Sequence, residues 1–315
     1  MRNQFLRWLE GAPPQSVGMY WGDEGVCLVH QGTSGRRTCV YQPPLADGEQ
    51  SPLSIAIRKL KTYVSITSRD LSLAVAINAD DVFIRSLVVP SGLSDAQLEQ
   101  VAIVEAVANL PVPPEEICMD FMRIDQSESA QNENVRLAFC RRERIDDILA
   151  AAEGVQVSVS VVDRDVQALH DAIVSRALNS GMIDAPDYPF AMLLTEIAPR
   201  LVICLDALSF ETYPVRIPVN PTPESLEDLR QQLINCWMRC RMVRGDDSMA
   251  LNCLICIGTA LPADGGWLHG LNGMENCEVF PCTTMDLQSL IVPGESNPPA
   301  EALLIAAGMC DRALM

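Results

Sequence analysis

The chain has 315 residues, 48% of them hydrophobic, and a formal net charge of −18 at pH 7. That is long enough for two lobes with a sizeable core and too hydrophobic for bulk disorder. Without any long lysine/arginine block, the acidic balance argues against nucleic-acid and anionic-lipid binding.

No secretory signal opens the chain. Phe5, Leu6, Trp8 and Leu9, set beside Arg7, make too short a stretch to span a bilayer. They read either as a frayed N-terminus or as a small membrane-surface foot. Residues 15–29 then predict strand, tight turn, strand, with Gly22, Asp23, Glu24 and Gly25 as the turn. A third strand fits 37–41 and a polar loop 43–52. A helix over 53–64 carries the stripe Leu53, Ile57, Leu60 and Val64, with Ile55 off it. Residues 71–77 alternate cleanly, Leu71, Leu73, Val75 and Ile77 against Ser72, Ala74 and Ala76.

Residues 84–125 read as strand, proline stop, capped helix, proline-rich turn and strand. Ser94 is an N-cap with Gln97 three residues on, a capping box, and Asp95 sits at the positive end of the dipole. Leu98, Val101, Ile103, Val104, Val107 and Leu110 point in nearly all directions around this helix. Such a helix is either sandwiched in a core or covered by a partner. A polar loop over 127–134, a strand over 135–140, a helix over 144–152 and a strand over 156–162 follow. Asp163 is then well placed to N-cap a helix over 164–178.

Residues 179–189, rich in Gly, Asp and Pro, mark the lobe boundary. Beyond them come strands over 190–197, 201–205 and 210–217, a long helix from Glu224 to about Met242, strands over 251–257 and 278–280, and a closing helix over 300–314. Each half thus opens with strands around a tight turn and continues in alternating strands and helices. This is a doubling of α/β lobes, not a sequence repeat.

Of the twelve cysteines, six fall between Cys236 and Cys282. The pair Cys253 and Cys256 raises a metal hypothesis. On a strand, however, residues three apart face opposite ways, and Cys236 with Cys240 makes only two thiols. Buried structural cysteine is the expectation, with no metal site. The three histidines, His30, His170 and His269, are scattered, and His170 suits a surface or satisfied polar role. No Ser–His–Asp or Cys–His set has a recognisable context, so no catalytic residue is assigned.

The central stretch resembles the PilM family, actin-like proteins of type IV pilus assembly. The resemblance rests on Pro90, Gly92, Leu93-Ser94-Asp95, Leu98-Glu99, Glu105-Ala106, Pro111 to Pro114, Glu116 and Asp120-Phe121. It implies an α/β, bilobed actin-like fold (a duplicated ribonuclease H-like fold) with an inserted FtsA/PilM-type subdomain. The expected division is an N-terminal segment 1–14, a first lobe 15–182 with the insertion at about 65–140, and a second lobe 183–315.

In this architecture the first hairpin of each lobe meets the phosphates of a nucleotide held between lobes, and here the family patterns are altered. Gly22 survives in the first turn, but Tyr20 replaces an aspartate, Asp23 a small hydroxyl residue and Cys27 a lysine. In the second hairpin Glu196 keeps a carboxylate, while Ala198 and Pro199 remove a glycine and an N–H donor. Gly258 and Thr259 remain of the adenosine-contacting turn, and residues Ala306 to Arg312 match the closing helix. Asp23 and Glu24 add like charge against a triphosphate. The resemblance therefore implies a pseudo-ATPase with no cofactor expected, ATP with magnesium being the alternative. Gly22, Asp23, Glu196, Gly258 and Thr259 would line that cleft.

The resemblance further implies a scaffold of pilus or DNA-uptake machinery, cytoplasmic and associated with the inner membrane through its partner. That partner is the N-terminal tail of a PilN-like inner-membrane protein, with other pilus assembly proteins beside it. Leu98, Val101 and Glu105 are the candidate contacts, beside an edge strand that a peptide could extend. Two other readings stay open: an active actin-like ATPase of the same machinery, and a GspL-like component of type II secretion. Against the last, no transmembrane helix follows Leu314.

Overall fold

The structure is a computed structural model that describes residues 15–32, 36–45, 51–64, 71–124, 131–179, 188–246, 249–251, 253–258, 261, 278–282 and 297–313. The predicted foot near Trp8, and Thr259, lie outside the described residues.

Strand β1 (Gln15–Gly22) turns back into β2 (Gly25–Gln31), and β3 (Arg37–Gln42) pairs antiparallel beside it. Helix α1 (Pro52–Tyr63) starts with a proline in its first turn, where no N–H is needed, and buries Leu53, Ala56, Ile57 and Leu60. Strand β4 (Leu71–Ile77) runs parallel to β1. Its predicted alternation divides two cores. Leu71, Leu73, Val75 and Ile77 pack with α1, while Ala74 and Ala76 face the other layer.

After β4 the chain leaves the lobe. Strand β5 (Phe83–Pro90), helix α2 (Asp95–Asn109), β6 (Ile117–Arg123) and β7 (Asn132–Arg141) form a separate three-stranded sheet, ordered β5-β7-β6. The predicted capping box is present: the Gln97 N–H donates to Ser94 Oγ at 3.3 Å, and the Ser94 N–H to Gln97 Oε1 at 2.9 Å. Helix α2 lays Leu98, Ala102 and Ala106 on this sheet. Its other side is not sandwiched: Val104 is 72% exposed and Val101 37%. The insertion thus begins after Ile77, not near 65, because β4 is claimed by its pairing with β1.

Helix α3 (Arg142–Gly154) returns Ile148 and Ala152 to the first core, and β8 (Ser158–Arg164) adds parallel to β4. Asp163 lies on β8 and is no N-cap. Helix α4 (Asp165–Asn179) starts two residues later, and its Val166 N–H donates to Asp165 Oδ1 at 2.7 Å.

The second lobe repeats the scheme with β9 (Phe190–Leu194), β10 (Arg200–Cys204), β11 (Phe210–Pro214), helix α5 (Pro223–Arg244), β12 (Cys253–Ile257) and β13 (Glu278–Cys282). Its order β11-β10-β9-β12-β13 reproduces β3-β2-β1-β4-β8, strand direction included. Cys253 packs on the core between the lobes and Cys256 on the core under α5, so the two do take opposite faces. Cys236 and Cys240 share the face of α5 that packs on that second core.

Helix α6 (Ala300–Arg312) comes last in the chain, and the sequence reading placed it in the second lobe. It lies instead across β1, β2 and β4 of the first sheet, and against α4. Helix α4 in turn presses His170 against Phe190 and Phe210 of the second sheet. The two helices cross between the lobes. Contact is so close that a Cβ on Gly308 would lie 1.9 Å from the Ala168 carbonyl oxygen, and one on Gly18 1.9 Å from that of Ala306. No helix among the described residues is long and apolar enough to cross a membrane.

Candidate functional site

The Tyr20 phenol of the first hairpin lies within electrostatic reach of Asp165, at the head of α4, and of Glu301, at the start of α6. In that hairpin, the Tyr20 hydroxyl donates to Glu24 Oε2 at 3.1 Å, and a Cβ on Gly22 would lie 2.1 Å from that hydroxyl oxygen. The phenol therefore fills the space beneath the turn. Burial first, then Glu24, and more weakly Asp165 and Glu301, push the Tyr20 phenol far above its ordinary range. The Tyr41 hydroxyl donates to the Glu24 carbonyl, tying the turn to β3. Asp23 points out at the tip, exposed.

In the second hairpin, three successive N–H groups converge on one carboxylate. Those of Thr195 and Glu196 donate to Glu301 Oε1 at 2.7 and 2.8 Å, and that of Ile197 to Glu301 Oε2 at 3.0 Å. Glu301, on α6, is fully buried. The exchange is mutual: Glu196 Oε2 accepts from the Ala300 N–H, at the start of α6, at 2.8 Å. Ala198 just beyond has a φ of 44°, and Gly258, at 108°, is crowded against Thr195 and Glu196. Gly258 is needed there, since a Cβ would meet Thr195 Oγ1 at 2.2 Å.

A buried ion pair also joins the lobes. Arg200 of β10 donates to Asp165 Oδ2 at the head of α4, and to Asn78 Oδ1 at 3.2 Å. Asp165 Oδ1 takes the Ala79 N–H at 2.9 Å. Further bonds cross the lobes: Gln167 Nε2 donates to the Ala207 carbonyl, and Arg136 of the insertion to Ser209 Oγ. Of the acidic groups near the hairpins, Asp165 is the one paired with the Arg200 guanidinium, while Glu24, Glu196 and Glu301 are each held by a phenol or by backbone N–H groups.

The N–H donors of the second turn are thus engaged by Glu301, and the Tyr20 phenol occupies the space beneath the first turn. No three His, Cys, Asp or Glu among the described residues come together as a metal-holding set. Of the sequence candidates, Glu196 and Gly258 pack against each other here and Gly22 roofs Tyr20. Asp23 takes no part in the centre.

Sequence reasoning missed Glu301, Arg200 and Asp165. A single acidic residue in the first turn of an apolar helix was the visible signal for Glu301, but helix-dipole complementarity explains such residues equally well. His170 is satisfied, not on the surface. Its Nδ1 meets Asp171 at 2.8 Å and its Nε2 the Tyr188 hydroxyl at 2.7 Å.

Burial pushes the Glu301 carboxyl from its ordinary 4.5 up to about 7, with Glu196 adding to the rise and the three N–H donors opposing it. The folded state then holds a proton that the unfolded chain releases. This contribution is full below the ordinary value and is lost as pH rises through about 7. The size is about 3 kcal/mol, at about 1.4 kcal/mol per unit. Asp163 and Asp311 shift the same way, Asp171 and Asp206 the other. Urea midpoints of wild type and Glu301→Gln at acidic and alkaline pH isolate the Glu301 share. The wild type should lose more stability on going alkaline, and equal slopes would refute the assignment.

A concavity of roughly 400 Å³ lies between the insertion and the first-lobe core. Asp80, Asp81, Phe83, Leu110, Arg141 and Arg144 are among its walls. The predicted contacts Leu98, Val101 and Glu105 do not line it. Leu98 is core, packed with Val89 and Val135, so it cannot serve as a surface contact. Val101 is on the open face of α2. Glu105 is half-buried and accepts from Asn109 Nδ2 at 3.0 Å.

Residues 48–193 match the family model described as type IV pilus assembly protein PilM. A chain of the solved PilM-PilN type IV pilus biogenesis complex is similar over 96% of this chain and 99% of that one, with a TM-score of 0.64 and 16% identity. The cytoplasmic domain of EpsL, an inner membrane component of the type II secretion system of Vibrio cholerae, aligns over 93% and 92% with a TM-score of 0.48 and 10% identity. A Bacteroides thetaiotaomicron protein with an actin-like ATPase fold aligns over 88% and 95% with a TM-score of 0.45 and 9% identity.

Proposed function

Taking the chain as PilM-like with the actin-like ATPase fold, we propose that it is a nucleotide-independent scaffold of a type IV pilus or DNA-uptake machine. One observation carries the reading: both turns that would hold phosphates are filled by the chain's own side chains, Tyr20 with Glu24 in one and Glu301 in the other. A fold that has lost its phosphate seats keeps its shape and its surfaces, and those can still organise partners.

The partner in this reading is the N-terminal tail of a PilN-like inner-membrane protein, which would hold the scaffold at the cytoplasmic face of that membrane. The cleft between insertion and first lobe has room for such a peptide, and both edges of the three-stranded sheet, β5 and β6, offer a strand for backbone pairing. Val101 of α2 remains a candidate contact, and Glu105 through Asn109, which is among the cleft's walls.

Calorimetric titration of the purified protein with magnesium-ATP tests the first part. No saturable heat is expected up to about 1 mM, a limit of about −4 kcal/mol on binding. A clear one-site isotherm in the micromolar range would make this a nucleotide-switched ATPase instead. A synthetic tail peptide of the PilN-like protein, titrated without nucleotide, should bind. Binding that required ATP would sink the scaffold reading.

A further inference from the structure

We propose that Glu301 is a built-in anion: its carboxylate occupies, from within the chain, an anion seat formed by the backbone of Thr195, Glu196 and Ile197, and so clamps α6 to the second hairpin. The inference deepens the nucleotide-independent reading and rests on the second of its two filled turns. Three consecutive N–H groups aimed at one point form the concave donor array that backbone uses to hold anions. The occupant sits at 2.7, 2.8 and 3.0 Å from those three nitrogens.

The side chain is fully buried, and among the described residues its hydrogen-bond partners are backbone N–H groups rather than a cation. A buried carboxylate without a counter-ion persists only where donors replace its water. The joint is doubled by Glu196, whose carboxylate takes the Ala300 N–H at 2.8 Å. Since α6 lies on the first sheet and the hairpin belongs to the second, the bond ties lobe to lobe. A bound phosphate would be exchangeable at this spot, whereas the Glu301 side chain is part of the chain and is the anion there once pH exceeds about 7.

Chemical rescue tests the seat. Glu301→Ala leaves three buried donors without an acceptor and a carboxylate-sized void beside them. Its thermal midpoint at pH 8 in sodium chloride should fall by about 10 °C. Sodium formate at about 100 mM and equal ionic strength should restore at least half of that loss, since a small carboxylate can enter the void. Wild type and Glu301→Gln, whose seats are filled, should not respond to formate beyond chloride. An unchanged midpoint in Glu301→Ala, or formate acting no better than chloride, overturns the proposal.

If Glu301→Ala does not fold in chloride, refolding from urea decides. Recovery of native circular dichroism in formate supports the seat, and equal failure in both salts refutes it. The two readings fail separately. Magnesium-ATP binding by wild type would sink the nucleotide-independent scaffold and leave the rescue result standing. A silent wild-type titration with an unrescued Glu301→Ala would sink only the built-in anion.

Discussion

Arg200→Ala is expected to destabilise the folded protein by about 3–5 kcal/mol, the range for removing one partner of a buried ion pair. Arg200 is 5% exposed and Asp165 4%, so the deletion strands a carboxylate that water cannot reach. Asp165 keeps the N–H groups of Ala79 and Val166, which softens the loss without replacing the charge. The pair joins β10 of one lobe to the head of α4 of the other, so the damage should fall on lobe docking before either sheet melts. Urea denaturation followed by circular dichroism checks the total. A cycle with Asp165→Asn gives the coupling, expected above about 1.5 kcal/mol for a close desolvated pair. A coupling near zero would mean that the pair is solvated and that the lobes are not held there.

Gly308→Ala should be as severe, about 3 kcal/mol or more, because a single methyl group must enter a helix crossing that has no room. Its Cβ would lie 1.9 Å from the Ala168 carbonyl oxygen and 2.6 Å from that carbonyl carbon. Backbone cannot rotate aside as a side chain can, so α6 must lift from α4. Lifting α6 also disturbs its contact with β1, where Gly18 allows the same closeness. Gly154→Ala is the control. It ends α3, has nothing within 4 Å of a new Cβ, and should change stability by less than about 1 kcal/mol. If both substitutions are equally mild, the crossing is looser than its geometry implies.

Much of the local structure was legible because it is set by near neighbours. The capping box at Ser94 and Gln97 lies within one turn, and the alternation over Leu71 to Ile77 within one strand. The opposite faces of Cys253 and Cys256 follow from strand geometry alone. The altered turn around Tyr20 and Glu24 could be read as a departure from a phosphate-binding pattern, though not that the phenol and the carboxylate join beneath Gly22.

The site itself was less legible. Leu98 looked available because the apolar residues of α2 surround the helix, and only the sheet beneath it shows which ones it covers. Likewise the small residues of β4, Ala74 and Ala76, read merely as the weaker face. In the structure they are the face that meets the interlobe core, where larger side chains would hold the helices off.

By itself, then, the amino-acid sequence determined the elements and their doubling into two α/β lobes, which depend on periodicity, turn chemistry or residue type over a few positions. The insertion and the altered first turn were legible only through the resemblance to a family. Only the tertiary structure decided that α6 returns to the first sheet, that Arg200 finds Asp165, and that Glu301 finishes the hairpin at Thr195 to Ile197. Those partners are far apart along the chain. Nothing local distinguishes a glutamate that faces water from one that meets three N–H groups, because burial and convergence arise only when the lobes close on each other.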